Sequence, residues 1–227
     1  MTRHSFATAA LAIAASSLAF AAEQAVPLPA PAHDVTSTAA TETAVFAGGC
    51  FWGVQAVFQH TQGVLNAVSG YAGGDQATAH YAVVGSGLTG HAESVQVTYD
   101  PKQVSYGTLM RVFFSVAHDP TQWNRQGPDS GPQYRSAIFF ATPQQKDAAE
   151  KYIAQLETAK AYPKKIVTQV APLKGFYPAE AYHQDYATLH PDSPYIARFD
   201  LPKIANLKAA MPKLYRAKPV LVSQTKG

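Results

Sequence analysis

The only cysteine in these 227 residues lies in the run Gly48-Gly49-Cys50-Phe51-Trp52-Gly53. A thiolate is a nucleophile and a buried thiol is a small apolar side chain, so the run admits two readings. The stretch "TAVFAGG" (43–49) reads as a short buried strand entering a glycine turn. After it, Phe51, Val54, Val57 and Phe58 recur at helical spacing, with Gly63 as the stop. Cys50 thus opens a helix, where unpaired N–H groups and a partial positive charge favour thiolate over thiol. Gly48 and Gly49 allow a sharp turn without a Cβ clash. These features alone leave the two readings about even. Two large rings directly after the sulfur suit the wall of an apolar pocket, and they favour a nucleophile.

Other groupings carry less chemistry. "GSGLTG" (85–90) matches a dinucleotide fingerprint, but a strand follows it where a helix is required. His91-Ala92-Glu93 resembles the His-x-Glu of zinc deaminases without the Cys-x-x-Cys they need. The eight histidines are dispersed without metal-ligand spacing, so no metal is expected. His118-Asp119 with Cys50 sketches a cysteine-hydrolase triad, which stays open as an alternative.

The elements that must position Cys50 alternate between strand and helix. "VLNAVSGYAGG" and "SVQVTYDP" read as strands, "SYGTLMRVFFSVAH" (105–118) as an amphipathic helix. "YRSAIFFAT" and "KKIVTQVAPL" are further strands around the helix "PQQKDAAEKYIAQLET", whose Pro143 suits a first turn. "PAEAYHQDYATLH" reads as a short helix. The pattern predicts an α/β (α+β) single domain over 43–200, a central mixed sheet flanked by helices with long functional loops. Residues 118–133 form one such loop, with three prolines and two glycines, and the Gly- and Tyr-rich stretch 70–90 forms another.

The ends read differently. Residues 1–22 hold Arg3 and His4, then an uncharged apolar run closing on Ala19-Phe20-Ala21, the form of a signal-peptidase site. A signal peptide cleaved near Ala21 or Ala22 is expected, and with it an exported, periplasmic protein. The run is too short to span a bilayer comfortably, so no stable membrane insertion is expected. Residues 23–42, rich in Pro, Ala and Thr without a period, are expected to be a flexible linker. Residues 201–227 are expected to be a basic tail. The net charge of +3 lies partly there, scattered rather than clustered, so no nucleic acid is expected as a partner. One thiol in an exported chain can form no internal disulfide, so it must be buried or used.

"GGCFWG" resembles the signature of the A-type peptide methionine sulfoxide reductases, which act on the S epimer of the sulfoxide. The likeness continues in order through "GYAGG" (70–74), "HYAVV" (80–84), "TGHAESVQVTYDP" (89–101), "HDPTQWNRQGPDSGPQYRSAIF" (118–139) and "AEAYHQDY" (179–186). The resemblance implies that Cys50 attacks the sulfoxide sulfur and that Glu93, with a raised pKa, protonates the oxygen. It implies that the phenols of Tyr81 and Tyr134 bind that oxygen, that Asp129 orders water or these tyrosines, and that Phe51 and Trp52 enclose the S-methyl group. His183 and Gln184 also match, in supporting positions.

Cys50 would end as a sulfenic acid, the reversible rung of thiol oxidation. Many relatives carry resolving cysteines near the C-terminus; this chain has no cysteine after Cys50. The expected protein is a monomer with no bound cofactor. It would reduce protein-bound or free methionine sulfoxide and be regenerated by an external thiol: a thioredoxin-like protein, a glutaredoxin or a small thiol. A thiol peroxidase, a hydrolase or an inactive methionine-binding relative are the alternatives.

Overall fold

The computed structural model describes residues 23–224. The chain forms β1 (Glu42–Gly48), α1 (Phe51–Gln59), β2 (Val64–Ala72), α2 (Tyr81–Val84), β3 (Ala92–Tyr99) and α3 (Tyr106–Val112). It continues through β4 (Arg125–Gln126), β5 (Asp129–Ser130), β6 (Ser136–Phe140), α4 (Pro143–Thr158), β7 (Gln169–Pro172), β8 (Phe176–Pro178), α5 (Tyr186–Leu189) and α6 (Leu201–Ala210). Six strands form one sheet in the order β7-β6-β1-β3-β2-β8, and β4 pairs with β5 in a separate ribbon. All sheet neighbours are antiparallel except β6 and β7, which α4 joins as a crossover. This is the mixed sheet with flanking helices that the alternation of strand and helix predicts.

Side-chain alternation along β1 accounts for the layering. Ala44 and Phe46 point into the main core with Phe58, Tyr106 and Phe113. Val45 and Ala47 point to a smaller cluster with Ala72, Ala92, Ala137 and Phe139 on the opposite face. Both faces of the central strands are therefore covered, so β1 reads as a continuous apolar run. Helix starts follow capping chemistry: Ser105 Oγ accepts from Thr108 N, and Thr142 Oγ1 accepts from Gln145 N just before Pro143. "SYGTLMRVFFSVAH" does not stay α-helical throughout, because α3 opens into a π-helical turn over Phe113–Ala117. "PAEAYHQDYATLH" breaks at Asp185, whose φ of 60° is left-handed, giving a 3-10 turn and the short α5.

The expected linker and the expected tail both differ from their sequence reading. Residues 1–22, the expected signal peptide, lie outside the described residues. The segment after them is an extended strap rather than a flexible linker. Val26 N donates to Ser115 O, Arg111 Nε to Leu28 O, Tyr152 OH to Pro29 O, and Gly107 N to Asp34 Oδ1. Leu28 is buried in the main core. The strap has no period of its own because its partners come from α3, α4 and the π turn, far along the chain. Residues 201–224 are not a loose tail either. α6 buries Leu207, Met211 joins the core, and Tyr215 bridges to Thr61 past the end of α1. Asp185 then anchors the end, accepting from Val222 N and Ser223 N. Among the described residues no helix is long and apolar enough to cross a membrane.

Candidate active site

The sheet brings the chemistry together. β1 and β3 run antiparallel with Phe46 opposite Val95, so the end of β1, before Cys50, meets the start of β3, which carries Glu93. On the other side, Gly48 lies opposite Ser136, two residues beyond Tyr134. Gly49 turns the chain at φ 88°, and a Cβ there would sit 2.5 Å from the Gln126 side chain. Cys50 is the N-terminal cap of α1.

Glu93 is 4% exposed, and its Oε2 accepts from the backbone N–H of Phe51 at 3.0 Å. Burial raises its pKa to about 8; the Phe51 hydrogen bond opposes the rise, and the charges of Asp129 and Asp200 add to it. The carboxyl therefore holds a proton at neutral pH. Cys50 is 9% exposed, more buried than a displayed nucleophile. Burial first, then the carboxylates of Glu93 and Asp200, push its thiol well above the ordinary range. The nearby Trp52 N–H favours the anion without forming a full cap hydrogen bond. The helix-terminus effect read from the sequence is present and is outweighed by desolvation and neighbouring carboxylates.

Tyr81 and Tyr134 both belong to this site. Burial raises each phenol, Glu93 raises each next, and Cys50 contributes to both. Tyr81 sits on α2, with its backbone N–H bonded to Glu180 Oε1 at 3.0 Å and its ring 4.3 Å from that of His183. Glu180 Oε2 also accepts from Tyr71 OH at 2.8 Å, so one carboxylate ties α2 to β2. Asp129 binds neither Tyr81 nor Tyr134: its Oδ2 accepts from Tyr195 OH.

The two rings after the thiol differ in environment. Phe51 is 1% exposed and packs between Tyr71 and His183, at ring distances of 5.9 and 5.1 Å. Trp52 is half-buried, stacks on Tyr186 at 3.9 Å and donates from Nε1 to His183 Nδ1 at 3.2 Å. Trp52 is therefore the ring with open surface near the thiol, and Phe51 is chiefly packing. Gln184 fastens α1 to β2, its Oε1 accepting from Gln55 Nε2 and Ser69 N.

The triad alternative loses its geometry. His118 is buried, its Nδ1 paired with Phe113 O at 3.1 Å and its Nε2 with Ser136 Oγ at 2.7 Å. Burial lowers its pKa to about 3. Asp119 is occupied by Thr121 and Gln122 of its own loop. Neither ring nitrogen is left to take the Cys50 proton.

Glu23, Gln126, Tyr195, Asp200 and Lys203 also surround Cys50, and of these only Gln126 lies within a motif that the sequence analysis singles out. Lys203 is 5% exposed and its Nζ lies 3.6 Å from Asp200 Oδ1. The two are spaced i,i+3 around the start of α6, the one trace of them in the sequence. Gly53 makes room for the pair, since a Cβ there would meet Asp200 Oδ1 at 2.1 Å. Among the described residues no group of three or more His, Cys, Asp or Glu is arranged to hold a metal ion.

A thiol beside an acid that keeps its proton at neutral pH can reduce an oxygen-bearing group while that oxygen is protonated, which is redox chemistry at sulfur. A family model described as peptide methionine sulfoxide reductase matches residues 42–213. The chain is 61% identical over 189 residues to peptide methionine sulfoxide reductase MsrA 2 of Mesorhizobium japonicum, covering 83% of this chain and 97% of that protein. It is 52% identical over 185 residues to the protein of the same name from Synechocystis, covering 80% and 86%. Methionine sulfoxide reductase A of Corynebacterium diphtheriae superposes with a TM-score of 0.58 at 36% identity, covering 79% of this chain and 91% of that one. Reduced Mxr1 from Saccharomyces cerevisiae gives 0.63 at 32%, covering 70% and 91%. The chain belongs to the peptide methionine sulfoxide reductase family. It is an oxidoreductase that reduces methionine sulfoxide.

Proposed function

We propose that this protein reduces the S epimer of methionine sulfoxide, free or in proteins, through Cys50 alone. The observation that carries the reading is Glu93, a buried acid held at the first turn of the Cys50 helix with its pKa raised to about 8. The Cys50 sulfur attacks the sulfoxide sulfur as Glu93 gives its proton to the oxygen, and the thiol proton replaces it on the carboxyl. Tyr81 and Tyr134 donate hydrogen bonds to the same oxygen, and Trp52 lies against the methyl group. A second proton, from the same carboxyl, lets the oxygen leave as water, so that Cys50 is joined by an S–S bond to a methionine sulfonium. Water then attacks the Cys50 sulfur, and the S–S bond breaks with its electron pair going to methionine. The carboxyl recovers the proton, and Cys50 is left as a sulfenic acid. Asp129 positions Tyr195 at the edge of the site.

Cys50 is the only cysteine, so two external thiols complete the cycle. The first forms a mixed disulfide with Cys50 and releases water; the second restores the thiol. A thioredoxin-like protein, a glutaredoxin or a small thiol fits this role. A working monomer is part of this reading. The test is a steady-state assay on both sulfoxide epimers with several thiols. Cys50→Ser is expected to abolish turnover and Glu93→Gln to slow it by about 10²–10⁴-fold, the range for general acids. Normal turnover by Cys50→Ser sinks the mechanism. We also propose that the protein is exported, on the strength of residues 1–22. A native protein still beginning at Met1 would refute export.

A further inference from the structure

Cys50 borders a second environment, separate from the groups that protonate and bind the sulfoxide oxygen. A cavity of about 20 Å³ is lined by Glu23, Cys50, Gln126, Asp129, Tyr195 and Lys203 among others. Glu93, Tyr81 and Tyr134 do not line it. That volume admits roughly one water-sized group and no more.

The polar groups of this cavity are incompletely matched. Glu23 Oε1 accepts from the Gln126 side chain, whereas Oε2 is buried with no hydrogen-bond partner among the described residues. Such orphans are uncommon in folded proteins and mark places where a further group belongs. Lys203 brings a buried ammonium to the same wall, set between Asp200 and the charge of Glu23. A cation on one side and a free acceptor on the other suit a group that both accepts and donates. The backbone of Glu23 is fixed as well, its carbonyl accepting from Asn206 Nδ2 at 2.7 Å. Glu23 lies outside the family-matched residues 42–213, whereas Cys50, Gln126, Asp129, Tyr195 and Lys203 lie inside them.

We propose that this cavity holds oxidised Cys50, its sulfenic oxygen lying between the Lys203 ammonium, which donates to it, and Glu23 Oε2, which accepts its proton. The inference rests on the reading of Cys50 as the residue that becomes a sulfenic acid. Rotation about the Cys50 side chain carries the new S–O–H group away from Glu93 and into the cavity. The need for such a place follows from the single cysteine. With no second thiol in the chain to form a disulfide, the sulfenic acid must last until an external thiol arrives. A peroxide met in the meantime would take it to sulfinic acid, releasing water, and that rung is not reversed by thiols. An oxygen that fills a one-water cavity leaves no room for peroxide on that side.

The test compares full-length mature wild type, Lys203→Met and Glu23→Gln. Each is treated with one equivalent of N-acetylmethionine sulfoxide without reductant, then challenged with hydrogen peroxide. Samples are quenched at intervals into denaturant containing dimedone, and sulfenic and sulfinic forms are counted by mass. Both variants are expected to pass to sulfinic acid roughly tenfold faster than wild type, the scale of one lost charge-assisted hydrogen bond. Equal rates in three proteins with intact melting curves would overturn the holding pocket and leave the role of Cys50 standing. No dimedone adduct in wild type would overturn both. Should Lys203→Met fail to fold because Asp200 loses its partner, Glu23→Gln carries the comparison alone.

Discussion

Replacing Glu93 by glutamine separates what the acid contributes to catalysis from what it costs the fold. The carboxyl is 4% exposed and its pKa rises from 4.5 to about 8, chiefly through burial. Between those values the folded protein holds a proton that the unfolded chain has released. Stability therefore falls as pH rises from about 4.5 to about 8, and levels off above. At about 1.36 kcal/mol for each pH unit the full span amounts to roughly 5 kcal/mol, an upper bound that water entering the site would reduce. Glutamine keeps an acceptor for the Phe51 N–H and carries no charge at any pH. Glu93→Gln is thus expected to match wild type closely at pH 5 and to exceed it by a few kcal/mol at pH 9. Urea unfolding at pH 5, 7 and 9, with slopes checked for equality, measures the difference. A gap that stays flat across that range refutes the assignment of Glu93 as a buried acid holding its proton at neutrality. A variant that gains stability while losing turnover is the expected signature.

Two further substitutions probe the supports of the site. Gly53→Ala places a methyl group 2.1 Å from Asp200 Oδ1, against a side chain that is itself buried and ion-paired. A loss of about 1–3 kcal/mol in chemical denaturation is expected, and an unchanged midpoint would show that Asp200 moves freely. Leu28→Ala, at 3% exposure, removes the anchor of the strap from the main core. It is expected to cost about 2–3 kcal/mol; a thermal midpoint equal to wild type would mean that the strap contributes nothing to the fold.

The strands and helices around Cys50 were legible because each carries its own period or cap. The alternation in "SVQVTYDP" and the Thr142-Pro143 start of α4 need no distant partner to be read. The catalytic groups were legible only as a set, in the collinear motifs. Tyr134 is one of twelve tyrosines, and nothing in its immediate neighbours marks it out. What could not be read depends on long-range burial. The desolvation that raises Cys50 comes from residues as distant along the chain as Glu23 and Lys203, whereas the favourable helix terminus is local and visible in the sequence. Lys203 looked like one more charge in a basic tail, because only the folded chain shows it enclosed beside Asp200. The strap escaped for the same reason: its prolines announce an extended chain, but the groups that bind it are Arg111, Ser115 and Tyr152.

That strap sets a condition on the order of assembly. Glu23 is tied to Asn206 across 183 positions, and Ala32 to Gln155 across 123. Contacts so distant along the chain form late, since the loop between them must close before they give anything back. The wall of the Cys50 cavity is therefore unfinished until nearly the whole polypeptide has been made and released. Under the export proposed above, such a chain would stay loose enough to be threaded through a narrow channel first and would acquire its working thiol environment on the far side.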